Sequence, residues 1–143
     1  MVENVLQSHP AKLDRFESKT RKSKPRIMIS TNCTWSMVRI RGSLISYLQD
    51  SGYEVIALSP PDGHEHELLE RNIPFIPMAM DRKGTNPFGD GALVLNYMSV
   101  FKRHRPDAYL GFSIKPNIYG SIAAGMFGVT VINNINGLGT AFI

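Results

Sequence analysis

Short apolar runs alternate with helically patterned segments along most of this 143-residue chain. In the segments between the runs, apolar side chains recur every three or four positions, as they do on one face of a helix. The runs are Arg26–Ser30, Glu54–Ser59, Ile73–Met78, Asp107–Phe112 and Val129–Ile135, and helices are predicted over Met37–Asp50, His64–Arg71, Gly89–Arg105 and Pro116–Phe127. Strands joined by helices run parallel with right-handed crossovers. The pattern therefore predicts an α/β fold, a doubly wound parallel sheet, whose third strand is pushed to an edge by its two prolines.

This topology predicts where a ligand binds. In open parallel sheets the site lies beyond the carboxyl ends of the strands, where the strand order reverses. The loops Thr31–Ser36, after the first strand, and Ser113–Asn117, after the fourth, meet that condition. In the second loop Lys115 precedes Pro116, a plausible first residue of a helix, so it offers an anion a point charge beside free amides. The alternative is a surface lysine next to an ordinary helix cap.

The charge of the chain is concentrated at one end. The formal net charge is +4, and residues 1–26 carry seven Lys and Arg against three acidic residues, so residues 27–143 are neutral. A neutral body argues against binding of nucleic acid. We therefore predict a disordered basic leader over residues 1–24 and one folded domain over residues 25–143. The alternative role for the leader is contact with anionic lipid.

Several classes of protein are disfavoured by what the sequence lacks. A single cysteine cannot form an intramolecular disulfide or a zinc site with several thiolates, and no histidines have metal-ligand spacing. Thr31–Ser36 contains no glycine, so the dinucleotide-binding motif is missing where a nicotinamide cofactor would need it. No apolar run has the length of a membrane span, and the first residues form no signal peptide. We predict a cytoplasmic protein without metal or cofactor.

One alternative chemistry concerns the first loop. Cys33 and Arg39 have the C-x5-R spacing of cysteine phosphatases, in which a loop wraps a phosphate while a thiolate attacks it. Wrapping favours small residues, and this loop contains Trp35 and Met37 but no glycine. The phosphatase hypothesis therefore ranks behind an incidental cysteine.

From residue 85 onward the chain resembles a known family. Thr85–Phe88, Lys115–Gly120 and Asn133–Phe142 resemble successive motifs in the amino-terminal domain of family 4 glycosyltransferases. The resemblance is to the branch that builds bacterial capsule, O-antigen and lipid-linked oligosaccharides. Upstream, Arg41–Ile45 and Ser51–Val55 resemble the start of the first helix and the approach to the second strand. The resemblance covers about residues 25–143.

The resemblance implies a fold and a reaction. Such enzymes have two Rossmann-like domains facing across a cleft, the GT-B arrangement, and transfer a sugar from a nucleotide-sugar, commonly a UDP-sugar, with retention and without a bound metal. The amino-terminal domain binds the acceptor, often a lipid-linked sugar at the inner face of the cell membrane, which makes peripheral membrane contact an expectation. The second domain holds the nucleotide, and we expect it to be absent from this chain. We therefore expect the acceptor-side half of an enzyme, inactive alone, and the alternative is a non-catalytic, truncated binding module.

The resemblance also assigns roles to residues. Two glycines would let a loop approach the donor closely. Two cations and an amide would bind the acceptor, and one aromatic side chain is a candidate for stacking on a sugar ring. They are Gly137 and Gly139 for the donor, Arg41, Lys115 and Asn117 for the acceptor, and Trp35 for stacking. Many relatives carry a histidine after the fourth strand, where this chain has Ser113-Ile114-Lys115, so no catalytic residue is assigned.

Overall fold

The five predicted strands form one sheet in the computed structural model, which describes residues 23–81, 84 and 86–135. The elements are β1 (Arg26–Ser30), α1 (Thr34–Asp50), β2 (Glu54–Ser59), α2 (Glu65–Glu70), β3 (Phe75–Pro77), α3 (Pro87–His104), β4 (Ala108–Phe112), a π-helical turn (Pro116–Gly120), α4 (Ser121–Met126) and β5 (Thr130–Asn134). All four strand pairings are parallel. The strand order is β3-β2-β1-β4-β5. The predicted doubly wound parallel sheet is therefore confirmed.

The order of the strands reverses between β1 and β4. These two strands are paired from Ile27 opposite Ala108 to Ser30 opposite Gly111. The chain proceeds to one side of β1 through β2 and β3, and to the other side through β4 and β5. The loops that follow β1 and β4 therefore leave the same edge of the sheet side by side, as the sequence predicts.

Helices cover both faces of the sheet, so the strands are apolar on both sides. Side chains alternate between the faces along each strand. Ile27 and Ile29 of β1 pack under α1 with Met37 and Ile45. Met28 points the other way and belongs to a second buried cluster with α3 and α4. This second cluster contains a group of aromatic rings, Tyr97, Phe101 and Tyr109.

Two helices begin earlier than predicted. The helix α1 begins at Thr34, three residues before Met37, and α3 begins at Pro87 rather than Gly89. At α3 the side chain of Asn86 accepts a hydrogen bond from the Phe88 N–H at 3.1 Å, and proline occupies the first turn, where its missing N–H costs nothing. The third strand, Phe75–Pro77, is shorter than predicted and lies at an edge of the sheet, as its prolines predict.

The helix predicted over Pro116–Phe127 is divided in two. A π-helical turn at Pro116–Gly120 interrupts it, and the regular helix continues as α4. The carbonyl oxygen of Pro116 accepts a hydrogen bond from the buried Tyr109 hydroxyl at 2.8 Å, which ties this turn to β4. Helical backbone already includes residues 114–115, so Pro116 is not the first helical residue. Single π-helical turns occur frequently at functional sites.

Two predictions about the chain ends lie partly or wholly outside the described residues. Of the predicted leader, the structure describes only Ser23 and Lys24, both exposed. The last predicted motif continues past Ile135 into residues 136–143, which also lie outside. Within the described part of the chain, no helix has the length and apolar character needed to cross a bilayer.

Candidate functional site

An open cleft lies at the carboxyl edge of the sheet. It is formed by the amino-terminal half of α3, the chain after β2 and β3, and the loop after β4. Its volume is about 560 Å³, within the range of ~300–1,000 Å³ that is usual for small-molecule sites. Pro60, Met80 and Leu93 contribute apolar walls, while Asp90 and Lys115 contribute charge. Lys115 therefore lies in a cleft at the predicted edge of the sheet, but no residue of the other predicted loop, Thr31–Ser36, lines that cleft.

Lys115 is paired in this cleft with a carboxylate that the sequence analysis did not single out. Its Nζ donates a hydrogen bond to Asp90 Oδ1 at 2.8 Å, and the Tyr119 hydroxyl donates to Asp90 Oδ2, also at 2.8 Å. Asp90 lies in the first turn of α3, and Tyr119 lies in the π-helical turn. The Lys115 and Asp90 side chains are only 16% and 13% exposed. We call these three residues the Asp90 cluster.

The charges of the Asp90 cluster are fixed at neutral pH. The hydrogen bond from Lys115, and then the one from Tyr119, lower the pKa of Asp90 below its usual range. The hydrogen bond to Asp90 raises the pKa of Lys115, and the same carboxylate raises the pKa of Tyr119. Lys115 is therefore cationic, Asp90 anionic and Tyr119 neutral, and the cluster has no net charge.

The other predicted cation, Arg41, has a mostly buried side chain and no ion-pair partner among the described residues. Its side chain is 8% exposed, and its guanidinium lies over the Phe112 ring at 4.6 Å from the centroid. Among the described residues, no acceptor makes a hydrogen bond with Arg41 and no carboxylate lies within salt-bridge distance. Burial lowers the pKa of Arg41, and the neighbouring Cys33 partly offsets that change. Of the two predicted cations, Arg41 is the one whose charge is not compensated.

Asn117 connects the π-helical turn to β5. Its Nδ2 donates to the Asn134 carbonyl oxygen at 3.0 Å, while its Oδ1 is enclosed without a hydrogen-bond partner. A β-carbon at Gly111 would lie 2.5 Å from that oxygen, so the close approach requires glycine at this position of β4. This geometry gives Asn117 a structural contact, and its role in binding an acceptor stays a prediction.

The remaining predicted site residues are not brought together with the cleft by the described structure. Trp35 is 48% exposed in the first turn of α1 and does not line the cleft as far as the described residues show. Gly137 and Gly139 lie outside the described residues. Ser113, the first residue of the predicted loop after β4, has a φ of +80°, a left-handed conformation that costs a residue with a side chain about 1–3 kcal/mol. No sequence signal marks this strain.

The structure does not assemble a phosphatase loop from Cys33 and Arg39. Helix α1 begins at Thr34, and the Met37 N–H bonds to the Cys33 carbonyl, so the intervening residues are helical and cannot wrap an anion. Arg39 points to an exposed position, where it pairs with Glu67 at 3.0 Å. In the described ranges no group of three His, Cys, Asp or Glu side chains is placed to hold a metal.

The start of α1 is capped by a residue from a distant loop. The Trp35 N–H donates to Asp62 Oδ2 at 2.8 Å, whereas the N-cap residue Cys33 provides no side-chain cap. Burial alone would raise the pKa of Asp62, but hydrogen bonds from the Trp35 N–H and from His64 lower it below the usual value. The carboxylate therefore occupies one of the amides that a phosphate would need at this helix terminus.

Replacing this cap is expected to weaken the fold in a pH-dependent way. Asp62→Ala should lower the free energy of unfolding by about 1 kcal/mol at neutral pH, the usual cost of losing a helix cap. Because the pKa of Asp62 is depressed in the folded state, its contribution is present above the ordinary carboxyl pKa of 3.8 and is lost as the pH falls through the folded value. Urea titrations at several pH values should show the two proteins converging in acid. A constant difference at every pH would contradict this account, and Asp62→Asn, which keeps an acceptor oxygen, is the control.

Comparison with known proteins gives one family and one fold. A family model described as glycosyl transferase 4-like matches residues 26–142. MurG from Acinetobacter baumannii superposes with a TM-score of 0.64 at 24% identity, over 78% of this chain and 35% of that one. A glycosyltransferase from Rickettsia africae gives 0.62 at 22% identity, over 77% and 29%. No curated protein sequence matches the chain.

The fold is shared by proteins with other activities. The UDP-GlcNAc 2-epimerase from Methanocaldococcus jannaschii superposes with a TM-score of 0.56 at 15% identity, over 77% of this chain and 30% of that one. The chain thus spans about a third of the length of these solved structures. At such identities the structural likeness shows the fold alone.

Proposed function

The chain belongs to the glycosyl transferase 4-like family, and on that premise we propose that it is the acceptor-side half of a retaining glycosyltransferase. The enzyme would transfer a sugar from a nucleotide-sugar, a UDP-sugar, to a lipid-linked or polysaccharide acceptor. The observation that carries this proposal is the open cleft at the carboxyl edge of the sheet, beside the reversal point between β1 and β4. Ligands of doubly wound sheets bind at that position.

The charged and uncharged site residues have different proposed roles. Arg41, which has no ion-pair partner among the described residues, would supply a cation for the diphosphate of a lipid-linked acceptor. Lys115 lines the cleft, and Asn117 would contact the acceptor from the neighbouring π-helical turn. Trp35, half exposed, is proposed to stack on a sugar ring. Gly137 and Gly139 would let the following loop approach the donor. The nucleotide-sugar is a substrate, and the proposal includes no metal or cofactor.

This half of the enzyme contributes positioning to the reaction. Transfer requires the departing diphosphate to be stabilised while the acceptor hydroxyl is held within attack distance. The cleft can fix the acceptor, because its walls belong to the helix α3 and to loops tied by hydrogen bonds. The resemblance implies that the residues that bind the nucleotide belong to the carboxy-terminal domain. The enzyme would bind a lipid-linked acceptor at the inner face of the cell membrane.

We expect the 143-residue chain alone to show no sugar transfer. Contacts at an open, wet surface should give binding to a UDP-sugar no tighter than the millimolar range, equivalent to about −4 kcal/mol. An NMR titration with UDP-sugars, run with a transfer assay, measures both. Turnover or micromolar binding by the chain alone would contradict the half-enzyme proposal.

A second experiment distinguishes the enzyme half from a non-catalytic binding module. The chain is fused to the carboxy-terminal half of a two-domain member of the family and assayed with a polyprenyl-diphosphate-linked sugar as acceptor. Transfer by the fusion supports the enzyme half. Binding of the acceptor analogue without transfer in any fusion supports the module, which the one-third span also permits.

A further inference from the structure

We infer that the cleft around the Asp90 cluster takes an uncharged, hydroxyl-rich group, a sugar ring of the acceptor, and not its diphosphate. This inference rests on the proposed function and deepens it. It also changes the meaning of Lys115, since a lysine at a sheet edge beside a helical turn suggests an anion site when the sequence is considered alone.

The first argument is charge. The charged side chains among the described lining residues are the carboxylates of Asp81 and Asp90 and the ammonium of Lys115. The ammonium is already hydrogen-bonded to Asp90 at 2.8 Å, in a position where both side chains are mostly buried. A diphosphate entering the cleft would have to displace Asp90 from Lys115 and then remain beside that carboxylate. Like charges at such separations repel strongly, most of all where water is partly excluded.

The second argument is the hydrogen-bonding capacity that remains. An ionised carboxylate has about four lone-pair sites, and Asp90 uses one oxygen for Lys115 and the other for Tyr119. Each oxygen can therefore accept a further hydrogen bond, which a sugar hydroxyl can donate and a phosphate dianion cannot. Asn96, whose side chain makes no hydrogen bond with another described residue, adds an amide that both donates and accepts.

The third argument is the shape of the cleft. Pro60, Met80 and Leu93 form apolar walls, and the Asp90 cluster and Asn96 supply the polar groups. Apolar surface with a few placed polar groups is the usual lining of small-molecule sites. A pyranose ring matches this lining because its faces carry C–H groups and its edge carries hydroxyls.

The unpaired cation lies on the other side of the sheet. Arg41 rests on Phe112, which belongs to the core beneath α1, whereas Asp90 and Lys115 lie on the side of α3. The two predicted cations therefore serve different chemistry. Arg41 faces the anion, and Lys115 holds the carboxylate that binds the sugar.

The test is an NMR titration of the ¹⁵N-labelled 143-residue chain with two kinds of probe. One is inorganic pyrophosphate, and the other is a set of four sugars added separately: glucose, galactose, N-acetylglucosamine and N-acetylgalactosamine. In the unchanged chain at least one sugar should shift the amide signals of Gly89, Asp90 and Asn96. Pyrophosphate should leave these signals in place.

Asp90→Asn is the decisive variant because it keeps the shape of the side chain and releases the charge of Lys115. Sugar binding should weaken at least about tenfold, and pyrophosphate should now shift the signals around Lys115. Glu67→Gln, a carboxylate paired with Arg39 far from the cleft, is the matched control and should change neither result. The variant Lys115→Gln, like the unchanged chain, should bind no pyrophosphate in the cleft.

Two results would overturn the inference. One is pyrophosphate shifting the cleft signals of the unchanged chain and losing this effect in Lys115→Gln, which would make Lys115 an anion ligand after all. The other is an absence of shifts at the cleft with all four sugars. If the fusion enzyme still transfers sugar in either case, only this inference fails. If the cleft binds sugar but no fusion transfers it, only the proposed function fails.

Discussion

Replacing Gly120 by alanine is expected to destabilise the domain by about 3 kcal/mol or to prevent folding. Gly120 is the last residue of the π-helical turn and is buried. A β-carbon there would overlap the Tyr109 hydroxyl and ring, with 2.7 Å to Cε1. Tyr109 cannot move aside, because its ring packs edge-on against Phe101 at 5.3 Å and against Tyr97 at 5.9 Å. Its hydroxyl also bonds to Pro116.

Gly125→Ala provides the matched control for that prediction. Gly125 lies in α4, only five residues further along, and a β-carbon there meets nothing within 4 Å. Alanine in a helix is favoured over glycine by about 0.5–1 kcal/mol, so this variant should be slightly more stable than the unchanged chain. Urea unfolding followed by circular dichroism measures both. Equal stability of the two variants would show that the Tyr109 contact is not tight in solution.

The sheet could be predicted from the sequence because its signals are local. Strands β1 and β2 are short apolar runs buried on both faces, and each is followed by a turn or a helix with clear spacing. The right-handed crossover rule then fixes the topology without any knowledge of distant contacts. The place of Lys115 followed for the same reason, since it depends only on which strand precedes it.

The partners of Lys115 could not be predicted in this way. Asp90 lies 25 residues before Lys115 in the chain, and an acidic residue in the first turn of a helix usually has the ordinary role of complementing the helix dipole. Tyr119 has the spacing of a core aromatic residue. Only the three-dimensional path of α3 past the end of β4 brings these side chains together.

Contacts between distant segments also explain the errors at element ends. Helix α1 begins early because Asp62, 27 residues away, caps it, although its own N-cap residue is a cysteine that gives no side-chain cap. The last predicted helix contains a π-helical turn where the Tyr109 hydroxyl donates a hydrogen bond to the Pro116 carbonyl oxygen. The first partner lies in a distant loop and the second in the preceding strand, and an apolar pattern along the chain shows neither hydrogen bond.

Replacing Arg41 by methionine is expected to stabilise the domain while weakening its binding of anions. The Arg41 side chain is 8% exposed, and it contacts Phe112 without a carboxylate or a hydrogen-bond acceptor among the described residues. Removing part of a charge's hydration without supplying a partner is costly, which is also why burial lowers the pKa of Arg41. Methionine keeps most of the packing and removes the charge, so unfolding should cost about 1 kcal/mol more, or a few degrees in Tm.

The same substitution should remove the anion site that the proposal assigns to Arg41. Pyrophosphate should shift the Phe112 amide signal in the unchanged chain, and binding should weaken at least about tenfold in Arg41→Met. Arg41→Lys is the control, since it keeps the charge but loses the planar group that stacks on the ring, and it should retain part of the binding. A gain in stability together with a loss of pyrophosphate binding would show that the charge of Arg41 serves ligand binding and not the stability of the fold. A loss of stability with unchanged binding would instead make Arg41 a packing residue and would remove it from the proposed site.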